Sequence, residues 1–166
     1  MRIAVSGAHR VGKSTLVEAL GDALPKYVTV AEPYELLEED GYESATPPTV
    51  EDFEAQLERS LEVLGDDQPN VIFDRCPADL VAYLSDSFDD DAWLERVRAA
   101  MQSLELVVFV PIEARVKLRS DALREEVDER LRSMLLDDSL GFGVEVVEVQ
   151  GDVDARVRQV MSRLKS

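Results

Sequence analysis

At 166 residues, 45% of them hydrophobic, the chain has the length of one compact domain, 1–166, able to bury a core of its own. Its 18 Lys and Arg against 35 Asp and Glu leave a formal charge of -17, which sets the surface against bulk attraction to nucleic acid or anionic lipid. A lone cysteine, Cys76, and a lone histidine, His9, exclude an internal disulfide, a Cys-based zinc site and most imidazole chemistry, and they fit a reducing cytoplasm.

In chain order, Met1 to Val5 is a short apolar run that meets Gly7 at once, which reads as a strand and not as a signal peptide. Short apolar runs then alternate with segments of helical spacing, the pattern of an α/β fold whose parallel sheet is covered by helices. Five strands are predicted: Ile3 to Val5, Tyr27 to Ala31, Val71 to Phe73, Leu106 to Val110 and Val144 to Val149. The first helix carries Leu16, Leu20 and Leu24 and is stopped by Pro25. A second follows Pro47-Pro48, where Thr49 and Asp52 resemble a capping box and Val50, Phe53, Leu57, Leu61 and Leu64 form the buried stripe. Later helices carry Leu94, Val97, Met101 and Leu104, then Leu123, Val127, Leu131 and Leu135, then Val153, Val157, Val160 and Leu164. Tyr34 to Pro48 is the longest irregular stretch, and a connection of that length is expected to serve a site. No stretch is long enough to span a membrane, and the oligomeric state stays open, a homodimer included.

Gly7-Ala8-His9-Arg10-Val11-Gly12-Lys13-Ser14 satisfies G-x-x-x-x-G-K-S between an apolar strand and an amphipathic helix, with Thr15 next. Glycines let such a loop curl until its N–H groups face phosphate oxygens; the helix N-terminus and the Lys13 ammonium add positive charge. The expected ligand is ATP or another nucleoside triphosphate, with Ser14 supplying a hydroxyl to Mg2+. The strand Val71-Ile72-Phe73 delivers Asp74 to the sheet edge beside this loop, placed to hold the metal or its waters. Arg75 follows it where motor ATPases usually carry a water-activating Glu, and an arginine suits an acceptor or a phosphate instead. Switch GTPases are set aside: N-K-x-D is absent, and Asp138 to Gly141 matches D-x-x-G only after the fourth strand, where it reads as a loop.

With these residues in place the chain resembles the P-loop nucleoside and nucleotide kinases, including the deoxynucleoside and thymidylate kinases and the NadR-like, AAA-type kinase-like ATPase domains. The likeness rests on the P-loop, on Glu32-Pro33 after the second strand, and on Asp74-Arg75-Cys76-Pro77 with Asp79, Ala82 and Tyr83, similar to a D-R-S-P pattern with Cys76 for Ser. It also takes in the Arg-rich segment Arg115 to Arg132, placed like a helical lid. It covers nearly the whole chain and implies a three-layer P-loop NTPase fold of the nucleotide-kinase type.

The resemblance implies phosphoryl transfer to a small, nucleoside- or nucleotide-like acceptor, in which positioning and charge neutralisation do most of the catalysis. Glu32 would take the proton of an acceptor hydroxyl or align it, Arg75 would orient the acceptor, and Arg119 and Arg124 would close over the phosphates. Gly151, in Gln150-Gly151-Asp152, is similar to the loop that borders adenine in these kinases. Against these roles stand blander ones: Arg119 and Arg124 sit among Glu125, Glu126, Asp128 and Glu129 and suit intrahelical ion pairs, and Tyr83 and Trp93 read as core. A nucleotide-dependent regulatory ATPase or binding module without a small-molecule acceptor is the alternative, and the acidic surface disfavours a polynucleotide kinase.

Overall fold

The computed structural model describes residues 1–84, 88, 90–113 and 122–165. Among these, five parallel strands form one sheet in the order β2-β3-β1-β4-β5: β1 Arg2–Ser6, β2 Val28–Val30, β3 Val71–Asp74, β4 Leu106–Phe109 and β5 Val146–Glu148. The helices are α1 Lys13–Ala23, α2 Pro33–Glu39, α3 Val50–Gly65, α4 Pro77–Leu84, α5 Asp91–Gln102, α6 Ala122–Leu131 and α7 Val153–Leu164, with α6 running into a π-helical turn at Arg132–Leu136. No helix among the described residues is long and apolar enough to cross a membrane.

All five predicted strands form. β1, β3 and β4 are buried at every position, which is why they read as unbroken apolar runs and not as alternating ones. β2 and β5 are the edges, keep only exposed or half-buried positions, and are shorter than their apolar runs. The Thr49–Asp52 capping box is present at the start of α3, each side chain taking the other's backbone N–H.

Two helices depart from the sequence expectation. The stretch read as irregular from Tyr34 holds α2, which starts on Pro33 with its φ already set for a helix. α4 is buried at seven of its eight positions, so its sequence PADLVAYL has no polar face to mark it as helical. Val50 and Leu123, assigned above to buried stripes, are 44% and 43% exposed, each projecting from the first turn of its helix. Asp138 to Gly141 is a loop, as expected, closed by Asp138 accepting the Phe142 N–H at 2.8 Å.

The order of strands fixes where chemistry can occur. β1 lies between β3 and β4, and the carboxyl ends of all the parallel strands open on one edge, where the connections after β1 and β3 part to opposite sides. The registers Val5↔Asp74 and Ser6↔Phe109 bring the loop after β1 beside the Asp74 carboxylate.

Candidate functional site

The loop Gly7–Ser14 leaves the end of β1 and enters α1. A Cβ on Gly7 would lie 2.6 Å from the Val110 carbonyl oxygen and 2.9 Å from Val11 Cγ2, so no larger residue fits there. Gly12, at φ 91, is the N-cap of α1 and gives it no side-chain hydrogen bond, whereas Thr49, Asp90 and Asp152 cap α3, α5 and α7. The first turn of α1 thus keeps its N–H groups unclaimed by a cap, as an anion site requires. The carbonyls of the loop are turned the other way, onto cations: Gly7 O accepts from Arg75 (3.3 Å), Ala8 O from Lys13 Nζ (2.6 Å), His9 O and Arg10 O from Arg124 (2.9 and 3.1 Å) and Val11 O from Arg156 (2.8 Å). Those four cations come from the end of β3, from α1, from α6 and from α7.

Lys13 is 5% exposed, and burial, then the nearby Arg75 charge, pull its ammonium down to a pKa of about 8. Ser14 donates to Asp74 Oδ2 at 2.7 Å, while Asp74 Oδ1 is buried with no hydrogen-bond partner. Burial, with the Glu32 charge adding, holds the Asp74 carboxyl above its ordinary range despite the Ser14 bond and the cations beside it. A hydroxyl and a carboxylate with one oxygen unsatisfied are hard donors that fit a divalent cation such as Mg2+. Among the described residues there is no cluster of three or more His, Cys, Asp or Glu of the kind that cages a metal by itself.

Beside the loop opens a mainly apolar cavity of about 290 Å³, walled by Phe53, Gln56, Tyr83, Glu32, Arg75 and His9. Arg75, at φ 77, turns back over it: Nε meets Glu32 Oε2 and NH1 meets Asp79 Oδ1, both at 3.4 Å, and its guanidinium stands 5.4 Å from the Tyr83 ring centroid. Burial works against its charge, but Asp79, Tyr83 and Glu32 together raise its pKa. Asp79 is wholly buried and accepts from Gly7 N (3.0 Å) and Cys76 N (2.9 Å), joining α4 to the phosphate loop. Cys76 is buried beside it, and burial, then the Asp79 charge, push its thiol well up, which makes it an unreactive packing residue. In the first turn of α2, burial, then Glu32 and Asp74, raise the Glu35 carboxyl.

The structure therefore gathers Gly7 to Ser14, Glu32, Asp74, Arg75 and Arg124 at one edge of the sheet, with Thr15 exposed in the first turn of α1. Arg124 is 7% exposed and grips loop carbonyls, in place of the solvated ion-pair face its acidic neighbours suggested. Arg119 lies outside the described residues. Gly151, at φ 100, donates its N–H to Glu113, which also lies 3.9 Å from Arg156. Sequence reasoning set Arg156 on the helix after Gly151 without a partner, quoted Asp79 in the kinase-like motif without a role, read Tyr83 as core and passed over Gln56; only the packing of α3, α4 and α7 brings these four to the loop or the cavity.

A family model described as an AAA domain matches residues 2–156. The chain belongs to the AAA-domain family. Among solved structures, this AAA-domain chain is similar to deoxyadenosine kinase from M. mycoides with bound dATP, at 21% identity, 100% of both chains covered and a TM-score of 0.69. It is similar also to shikimate kinase from Aquifex aeolicus, at 15% identity over 99% and 96% of the two chains with a TM-score of 0.64. The NadR protein in complex with NR aligns at 16% identity and a TM-score of 0.65 over 98% of this chain and 49% of that one, so the AAA-domain chain spans about half of it. These likenesses establish the P-loop, nucleotide-kinase-like α/β fold. A search of curated protein sequences finds no significant match.

Proposed function

We propose that this AAA-domain chain is a magnesium-dependent kinase that moves the γ-phosphate of ATP, or of a related triphosphate, onto a hydroxyl of a small nucleoside-like acceptor. The observation that carries the reading is the Glu32–Arg75 pair, 3.4 Å apart, on the wall shared by the phosphate loop and the apolar cavity. Two similar structures bear the names of small-molecule kinases, which supports it.

In this reading the N–H groups of the loop and Lys13 hold the triphosphate, and the cations on the loop carbonyls polarise those peptides and strengthen the donors. Ser14 and Asp74 would hold Mg2+, which when bound offsets phosphate charge. The acceptor lies in the cavity with its hydroxyl beside Glu32. Its oxygen forms a bond to the γ-phosphorus while the bond from that phosphorus to the β–γ bridging oxygen breaks, and the hydroxyl proton passes to Glu32. Arg75 keeps Glu32 aimed, and Asp79 in turn fixes Arg75.

Labelled ATP, Mg2+ and a panel of nucleosides, nucleotides and pyridine ribosides should give a labelled product. Glu32→Gln should lower kcat about 100-fold or more with little change in nucleotide affinity. Release of free phosphate alone under every condition refutes the reading and leaves the regulatory binding module in its place.

A further inference from the structure

Tyr83 is one of the side chains that join the cavity to the phosphate loop. It turns its ring to the cavity, where it stacks on Phe53 with centroids 4.9 Å apart and planes 10° from parallel. Its hydroxyl reaches the crown of the loop, accepts the His9 N–H at 3.1 Å and lies 2.7 Å from His9 Nδ1. On the other side of the same residue, the His9 carbonyl accepts from Arg124, which also takes the Arg10 carbonyl. The two supports are tied to each other, since Arg130 of α6 donates to the Ala82 carbonyl of α4 at 2.9 Å. The crown needs such support: Arg10 sits at φ 60, a left-handed conformation that a side chain with a Cβ does not favour by itself.

We propose that Tyr83 and Arg124 are positioning residues that couple the two sites, so that a ligand packed against the Tyr83 ring steadies the crown at His9 and tightens nucleotide binding. Coupling of this kind is reciprocal, so bound nucleotide tightens the acceptor site by the same factor. The acceptor half of the statement rests on the kinase reading; the anchorage of the loop by Tyr83 does not. Phe53 stacks on the Tyr83 ring and lines the same cavity, so a change there alters the support of the tyrosine without removing its hydroxyl from His9.

The lone histidine makes the test direct, because one imidazole gives one set of ring 15N and 1H signals. The Tyr83 hydroxyl takes the His9 peptide N–H and lies against Nδ1, so the ring 15N signals report on this contact whichever nitrogen carries the proton. Tyr83→Phe should shift those 15N signals from their wild-type positions and weaken Mg·AMP-PNP binding about three- to tenfold, through loss of the hydroxyl's hydrogen bonds to His9. Phe53→Leu should move the same signals and weaken Mg·AMP-PNP about twofold or more, through loss of the stack alone. If Phe53→Leu leaves both the His9 signals and the AMP-PNP affinity as in the wild type, the coupling is wrong even where phosphate transfer is found. Should Tyr83→Phe fail to fold, the wild type decides: His9 signals unmoved at saturating Mg·AMP-PNP overturn the proposal. Both variants behaving as expected while no acceptor is ever phosphorylated supports the anchorage and removes only the kinase reading.

Discussion

Gly7→Ala tests the tightness of the turn after β1. The added Cβ would sit 2.6 Å from a backbone oxygen of Val110 and 2.9 Å from Val11 Cγ2, against an ordinary contact of at least 3.4 Å. Val110 is held by its N–H to the Ser6 carbonyl at 2.8 Å, so the loop has to move rather than the strand. Overpacking of this kind costs about 1–3 kcal/mol. Moving the loop also stretches the Gly7 N–H bond to the wholly buried Asp79, and a buried acceptor that loses a donor costs about 1–3 kcal/mol more. Urea denaturation should therefore show Gly7→Ala less stable by about 2–6 kcal/mol, and calorimetry should show Mg·AMP-PNP binding much weakened. Gly65→Ala is the control: it lies in the last turn of α3 with nothing within 4 Å, and there alanine should be neutral or stabilise by about 0.4–1 kcal/mol. Equal urea midpoints for the two variants would refute the argument from close approach.

Two further outcomes follow from the buried charges. Asp79→Ala removes the acceptor of two backbone N–H groups and a partner of Arg75, leaving that cation undercompensated; the expected loss is about 3–5 kcal/mol, and a urea midpoint showing less than about 1 kcal/mol contradicts it. The Lys13 pKa of about 8 lies below its unfolded value of 10.5, so between these the unfolded chain binds more protons and this residue makes stability rise with pH. Its share approaches about 3 kcal/mol across the window. Urea midpoints at pH 7.5 and 9.5 for wild type and Lys13→Met should differ in slope, the variant lacking the rise; parallel slopes contradict the burial argument.

How much of this was legible in the sequence depends on whether a signal was local. The phosphate loop was, because glycines at a fixed spacing between an apolar strand and a helix have one physical use. The three central strands were, because full burial writes itself as an apolar run, and Asp74 and Arg75 were placed by sitting at the end of one. α4 was not set out as a helix of its own, since one covered on nearly all sides loses its periodicity, and the contacts of Tyr83 and Asp79 with the loop, some 70 residues away in sequence, stayed hidden with it. Arg124 was ambiguous for a similar reason: its acidic neighbours promise helix-surface pairs, and only the docking of α6 against the loop sends the guanidinium to His9 and Arg10.

The central place of β1 has a consequence for synthesis on the ribosome. The strand that carries the loop is fixed on one flank by β3 and on the other by β4, whose partner residues lie about 70 and 100 positions later. Emerging chain must therefore wait for Leu106–Phe109 before β1 and the loop Gly7–Ser14 acquire a rigid frame, and contacts of such range close slowly. A nucleotide in the surrounding solution therefore finds its receptor only after Leu106–Phe109 has left the tunnel and paired with β1.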